Sequence, residues 1–299
     1  MRQKKNDLYF DNCPICQATR NADKRGESLT EQQLKDVFAE ANAMKDNHEQ
    51  NTIVEPDDET KKQYTQIINQ IDFFHDFMLF MHTLSKRPLT LTKTGSLQLK
   101  EINYFGSIFR HDIYHRDEHG QILFAIRTEY EASYLFRIRL LAETKYLTYR
   151  RRGELRLSKN GLWFVTKIDA LTQYEQILQW YFNRGRWSAI HPFTDTHNQY
   201  IADILQNGQQ QIWSYLVAKG NEWINLTKFL SGLATFFKLS AKGDTVIPDF
   251  TLRKIERITV KDLRMYNLIE YPDVSDKTVS FRLTELGNYI LHKIVTELF

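Results

Sequence analysis

The chain has 299 residues, 42% hydrophobic and 13% aromatic, enough to bury a substantial core and to divide into two domains. Its 40 Lys and Arg against 37 Asp and Glu leave a net charge of +3, too small for the total alone to indicate an anionic partner. No uncharged stretch approaches the roughly 18–20 residues of a membrane span, and the opening MRQKKNDLYFDN has no apolar run behind its basic residues. Neither a membrane segment nor a signal peptide is expected, and a cytoplasmic location is the default.

In chain order, the two cysteines come first, as Cys13-Pro-Ile-Cys16, where a secreted disulfide framework would show more cysteines spread along the chain. Thr30-Glu-Gln-Gln33 reads as a capping box, and Leu34, Val37, Phe38 and Ala41 follow at helical spacing up to about Met44. Lys45 to Asp58 is polar, acidic and contains Pro56, as a linker would. From Glu59 the apolar stripe Tyr64, Ile67, Ile68, Ile71, Phe74, Phe77, Met78, Met81 predicts one long helix that packs against the next domain.

A pattern Leu-Ser/Thr-x-x-Gly then occurs at Leu91–Gly95, Leu157–Gly161 and Leu283–Gly287. In the last two copies an alternating strand precedes it and an apolar helix comes after, Leu162 to Ile168 and Tyr289 to Leu298. The hydroxyl can cap free backbone N–H groups, and glycine lets the helix start lie close to the sheet. Upstream of the second copy, Glu131 to Thr144 reads as a helix, Tyr146 to Tyr149 as a strand, Arg150 to Gly153 as a turn and Glu154 to Leu157 as the returning strand. Upstream of the third, Val260 to Tyr266 ends a helix, and Leu268 to Tyr271, Pro272 to Lys277 and Val279 to Leu283 repeat strand, turn and strand. The two glycines stand 126 residues apart, a domain-scale repeat.

Helix, hairpin, helix in this order resembles the winged-helix superfamily, and is weakly similar to helicase-associated winged domains, although no helicase motor accompanies it. The resemblance implies that the helix before each hairpin is a recognition helix and the hairpin a wing. Pro88 to Glu101 resembles the opening strand and first helix of the first unit; Trp223 to Thr227 and Phe229 to Phe237 would open the second. The expected fold is mainly α with small β-hairpins, tandem winged-helix units joined by helices, plus an N-terminal helical segment. The expected boundaries are 1–58 for the N-terminal segment, 59–85 for a connecting helix, 86–168 for the first unit, 169–220 for a helical bridge and 221–299 for the second unit. Leu171 to Phe182 and Ile201 to Leu216 would each be one helix of the bridge.

Between Arg137 and Lys159 stand Arg137, Arg139, Lys145, Arg150, Arg151, Arg152, Arg156 and Lys159 against Glu143 and Glu154. Arginines at a hairpin tip can clasp phosphate or enter a minor groove, and basic residues on the preceding helix can approach a major groove; a solvated charged hairpin is the plain alternative. These eight residues are the expected nucleic-acid contacts, with duplex DNA the expected partner and regulation of transcription or of a mobile element the natural output. The second unit has Arg253, Lys254, Arg257, Lys261 and Arg264 in its helix region, but its wing carries Asp273 and Asp276 with one Lys277, which would repel phosphate. It is therefore expected to support the fold or to mediate a homodimer or protein contact, a role open also to the N-terminal segment.

Cys13 and Cys16 have the spacing of half a zinc site, which His48, His75, His82, or His111 with His115 would have to complete; reduced cysteines beside a helix start are the simpler reading, and no other cofactor is indicated. His191, Asp195 and His197 are residue types that bind metal in hydrolases, yet no phosphate loop, H-E-x-x-H or G-x-S-x-G accompanies them, so no enzymatic activity is expected. A protein-interaction scaffold built of winged-helix modules is the alternative to DNA binding, and a metal-dependent hydrolase stands third.

Overall fold

The computed structural model describes residues 55–298 apart from 115, 185–186, 191–195, 240–246 and 272–278. It is mainly helical with two small three-stranded antiparallel sheets. The Cys13–Cys16 tetrad, the helix expected up to Met44 and the acidic turn Pro272 to Lys277 lie outside the described residues.

The stripe from Glu59 forms two helices, α1 (Asp58–Gln70) and α2 (Asp72–Lys86), which corrects the single helix expected. Ile71 between them is extended, and its N–H is held by the Ile68 carbonyl. The break lets one apolar stripe serve two surfaces. α1 lies on a later helix, while α2 buries Phe73, Phe74, Phe77 and Phe80 against the first sheet and its flanking helices.

That first sheet consists of β1 (Leu89–Thr90), β2 (Thr148–Arg151) and β3 (Glu154–Leu157) in the order β1-β3-β2. Between β1 and β2 come α3 (Leu99–Ile108), a long loop and α4 (Ser133–Thr144). The Leu91 copy of the repeated pattern is a turn closed by a Leu91–Leu97 bridge with Gly95 at φ +83, so it is not a strand-to-helix handover. Leu89 pairs with Leu155 and Thr148 with Leu157, which turns these positions toward the core and leaves Tyr149, Arg151 and Arg156 on the outer face. The expected four-residue turn is shorter. Arg152 and Gly153 alone reverse the chain, both at positive φ, a geometry whose twist matches the flanking strands.

At Ser158 the sheet hands over to α5 (Lys159–Lys167). The Ser158 hydroxyl accepts from the Gly161 N–H at 2.9 Å and donates to the Tyr146 carbonyl at 2.6 Å. A Cβ on Gly161 would collide with the Leu147 carbonyl. Asp169 caps α6 (Ala170–Gln179), which runs into a π-helical turn at Trp180–Arg184 and then α7 (Trp187–Ile190). The second bridging helix expected from Ile201 to Leu216 is two, α8 (Thr196–Asn207) and α9 (Gln209–Lys219). They meet at Gly208, where a side chain would collide with the Phe237 ring.

The second sheet repeats the first in topology. β4 (Ile224–Asn225), β5 (Ile269–Glu270) and β6 (Ser280–Leu283) lie in the order β4-β6-β5, with α10 (Leu226–Phe236), α11 (Asp249–Ile258) and α12 (Val260–Met265) between β4 and β5, and α13 (Glu285–Leu298) after β6. Thr284 repeats the role of Ser158, accepting from the Gly287 N–H and donating to the Asn267 carbonyl, and a Cβ on Gly287 would collide with the Leu268 carbonyl. One continuous core joins the halves. Phe73 of α2 lies edge-on to Tyr134 of α4 at 6.0 Å and to Tyr266 after α12 at 4.7 Å, while Tyr64 of α1 stacks on Tyr289 of α13.

Candidate nucleic-acid interface

The eight basic residues expected to contact nucleic acid do not form one surface. α4 buries Tyr134, Leu135, Ile138, Leu141 and Ala142, and the rest of its twelve residues are buried or half-buried. It is held between α2, the π-helical turn, α7 and β2. The reading of Glu131 to Thr144 as a groove-reading helix is thereby corrected, because α4 presents no exposed side chain to a groove.

Arg137 and Arg139 show the physical reason. The Arg137 side chain is 13% exposed and reaches Asp262 of α12 at 2.8 Å; burial works against its charge, but Asp262 prevails and holds the guanidinium above its ordinary value. Burial in turn raises the Asp262 carboxyl to about 6, opposed by Arg137, and the Tyr181 hydroxyl also donates to it. Arg139 is 5% exposed, paired with Glu129 and with Glu143 at 3.0 Å. Glu129, itself buried, also accepts the Leu97 N–H at 2.7 Å, so this pair fastens the loop between α3 and α4 to the turn after β1.

The remaining six lie at the surface with unequal freedom. Lys145 sits 4.8 Å over the Trp180 ring. Arg150 makes a two-pronged contact with Glu143 at 3.0 and 2.9 Å, which raises its pKa, and lies against the Gly95 turn. Arg156 pairs with Glu154 at 2.6 Å. Arg151, Arg152 and Lys159 are exposed, and among the described residues no carboxylate lies within ion-pair distance of them. The uncompensated charge of the hairpin is thus concentrated at its tip, in Arg151 and Arg152.

The helix region of the second unit has the opposite character. α11 turns Thr251, Ile255 and Ile258 inward and α12 turns Val260, Asp262 and Leu263 inward. Arg253, Arg257, Lys261 and Arg264 are exposed, with Lys254 half-buried beside them. Lys254 lies 4.8 Å over the Phe250 ring and Arg264 4.9 Å over the Tyr271 ring, while Arg253 pairs loosely with Asp249 at 3.6 Å. Burial, and then the charge of Arg137, lower the Arg257 pKa from its ordinary value.

The chain matches no family model, no curated protein and no solved structure. Other candidate sites rest on residue chemistry alone. Among the described residues no group of three His, Cys, Asp or Glu could hold a metal ion. Cys13, Cys16, His48, His115, His191 and Asp195 lie outside those residues, and His197 belongs to α8. His75 Nδ1 lies 3.0 Å from the Asp76 carboxylate, and His111 stacks on Tyr134 at 4.0 Å. Asp76 is fully buried and accepts from the Arg110 and His111 N–H groups and the Tyr134 hydroxyl, a structural anchor for the end of α3. Among the described residues no helix is long and apolar enough to cross a membrane.

Proposed function

We propose that the chain is a duplex-DNA-binding protein, built of two tandem winged-helix units, in which the hairpin of the first unit contacts phosphate. The order helix, strand, helices, hairpin, found twice with the same sheet order although the second unit has three helices where the first has two, supports the winged-helix reading. The observation that carries the function is the tip of the first hairpin. A two-residue turn at Arg152 and Gly153 holds Arg151 and Arg152 outward, on strands anchored to the core through Leu155 and Leu157. Arginines held on a rigid ribbon match the spaced negative charges of a duplex backbone and release counterions on binding. Regulation of transcription is the output this reading implies.

The test is the full chain carrying Arg151→Ala and Arg152→Asn, measured on a mixed-sequence duplex across a salt series. Asparagine suits the positive-φ turn position, so the fold is retained while the charge is lost. The slope of log K against log salt is expected to flatten by about 0.9 for each phosphate contact removed. Unchanged affinity and slope would remove the hairpin from the interface.

A protein-docking role is the second reading. Ile122, Leu123, Phe124 and Tyr130 are exposed around an open cleft of about 550 Å³ lined by Leu123 to Arg127 and Glu131. Apolar surface gathered in this way is a mark of protein contacts. A mass that rises with concentration in light scattering, and that Phe124→Ser returns to the monomer value, would support a homodimer through this loop.

A further inference from the structure

We infer that the first unit carries a site for single-stranded DNA, in which Tyr146, Tyr149 and Trp163 stack on unpaired bases and Lys159 holds phosphate. The inference goes beyond the hairpin contact, and its choice of DNA over RNA rests on the duplex reading. Tyr146 follows α4, Tyr149 is on the outer face of β2 and Trp163 is on α5; they are 76%, 43% and 58% exposed. Ser158 joins two of these places, since its hydroxyl donates to the Tyr146 carbonyl and caps α5. From Ser158 to Trp163 the helix rises roughly 7.5 Å, and Lys159 and Trp163, four residues apart, share its exposed side.

The second unit shows that the fold requires none of these side chains. The Leu147 N–H bonds the Ala142 carbonyl where the Leu268 N–H bonds that of Leu263, and Ser158 corresponds to Thr284. Tyr146 therefore corresponds to Asn267, Lys159 to Glu285 and Trp163 to Tyr289. In the sheets, Tyr149 stands across from Arg156 where Glu270 stands across from Arg282. Two exposed rings and a cation in the first unit are thus an amide and two carboxylates in the second, and the third ring is half-buried there, stacked on Tyr64.

Tyr146 is the most telling of the three. Its φ is +54 and that of Asn267 is +52. Asparagine is common in this left-handed setting, whereas a bulky ring is strained there, and such strain gathers at functional positions. Burial does not offset the strain, because Tyr146 is the most exposed large hydrophobic side chain among the described residues. Inside a duplex each base face is covered by the next base, so rings on a protein surface meet unpaired bases instead. Exposed rings beside cations are a recurrent means of holding single strands. Lys159 is exposed, and among the described residues no carboxylate lies within ion-pair distance of it; Arg156, although paired with Glu154, keeps its side chain 44% exposed.

The experiment follows the fluorescence anisotropy of a labelled single strand of about 15 nucleotides, of its duplex and of the RNA of the same sequence. The full chain is compared with Tyr146→Asn, Trp163→Gln, Lys159→Gln and the hairpin variant. Asparagine suits the positive φ and glutamine an exposed helix position, so the ring variants should melt as the unaltered chain does. Each ring variant should bind the single strand about tenfold more weakly, with an unchanged salt slope because no charge is lost. Lys159→Gln should instead flatten that slope by about 0.7. Unchanged single-strand binding in both ring variants overturns the inference, as does an equal loss on the duplex or tighter binding to the RNA than to the DNA. If the unaltered chain binds the duplex but no single strand, the inference falls and the proposed function stands. Single-strand binding that the ring variants weaken, with no duplex binding at low salt, supports the inference and removes the duplex reading.

Discussion

Helix α4 and its counterpart α11–α12 occupy equivalent places before equivalent hairpins, and they meet different neighbours. Around α4 the bridge closes in: the π-helical turn, α7 and α2 cover it, and Arg137 is drawn into a buried pair with Asp262. α12 contributes that aspartate from its inner side and leaves Lys261 and Arg264 outside. A single motif used twice has become a seam in one place and a surface in the other. The difference shows that a charge count along a segment says little until each side chain has been assigned to the inside or the outside.

The comparison breaks most sharply at the seam. Arg137→Met would leave Asp262 buried without its cation, at a cost of about 3–5 kcal/mol in urea denaturation. Adding Asp262→Leu should recover most of that loss; a single variant as stable as the parent would show that the pair does not seal α4. Next come the two handover glycines. Gly161→Ala and Gly287→Ala each force a Cβ onto a carbonyl oxygen, and each should cost about 1–3 kcal/mol. Similar losses would mark the junctions as equivalent; a large loss at one position alone would deny it. Glu143→Gln should cost about 1 kcal/mol or less, because Arg150 is half-exposed and Arg139 keeps Glu129. The same change frees Arg150, so the salt slope of duplex binding should steepen by about 0.9 if that side chain reaches phosphate. At the small end, Arg253→Gln should shift stability by no more than about 0.5 kcal/mol, as for an exposed residue, when thermal melts of the two chains are compared.

Much of the fold is legible in local chemistry. The hydroxyl-then-glycine handover at Ser158–Gly161 and Thr284–Gly287 is a contact within four residues, so its spacing shows in the sequence. The Leu91 copy shares the letters but not the setting, since Gly95 serves a turn that its positive φ requires. The helix breaks at Ile71 and Gly208 are not legible in this way, and the Phe237 ring that crowds Gly208 lies far along the chain. For the site, the sequence does hold one signal against a shared groove face. Arg137 and Arg139 are two residues apart, which on a helix points them to opposite sides, so both could not face one groove. Their partners, above all Asp262, lie far away in sequence and no local pattern announces them. Arg253, Arg257, Lys261 and Arg264 recur at helical spacing across two separate helices, but the acidic residues of the neighbouring hairpin weigh against a phosphate contact when the segment is taken as a whole.

Phe73, wedged between Tyr134 and Tyr266, bears on how the molecule can be dissected. A chain severed between its halves would expose the Tyr266 ring and a charged Asp262 on one fragment and Arg137 on the other. Each fragment would carry a fresh wound, part greasy and part ionic, shaped to fit the piece that was removed. Aggregation of such fragments would report on that wound, and mixing the two should heal it.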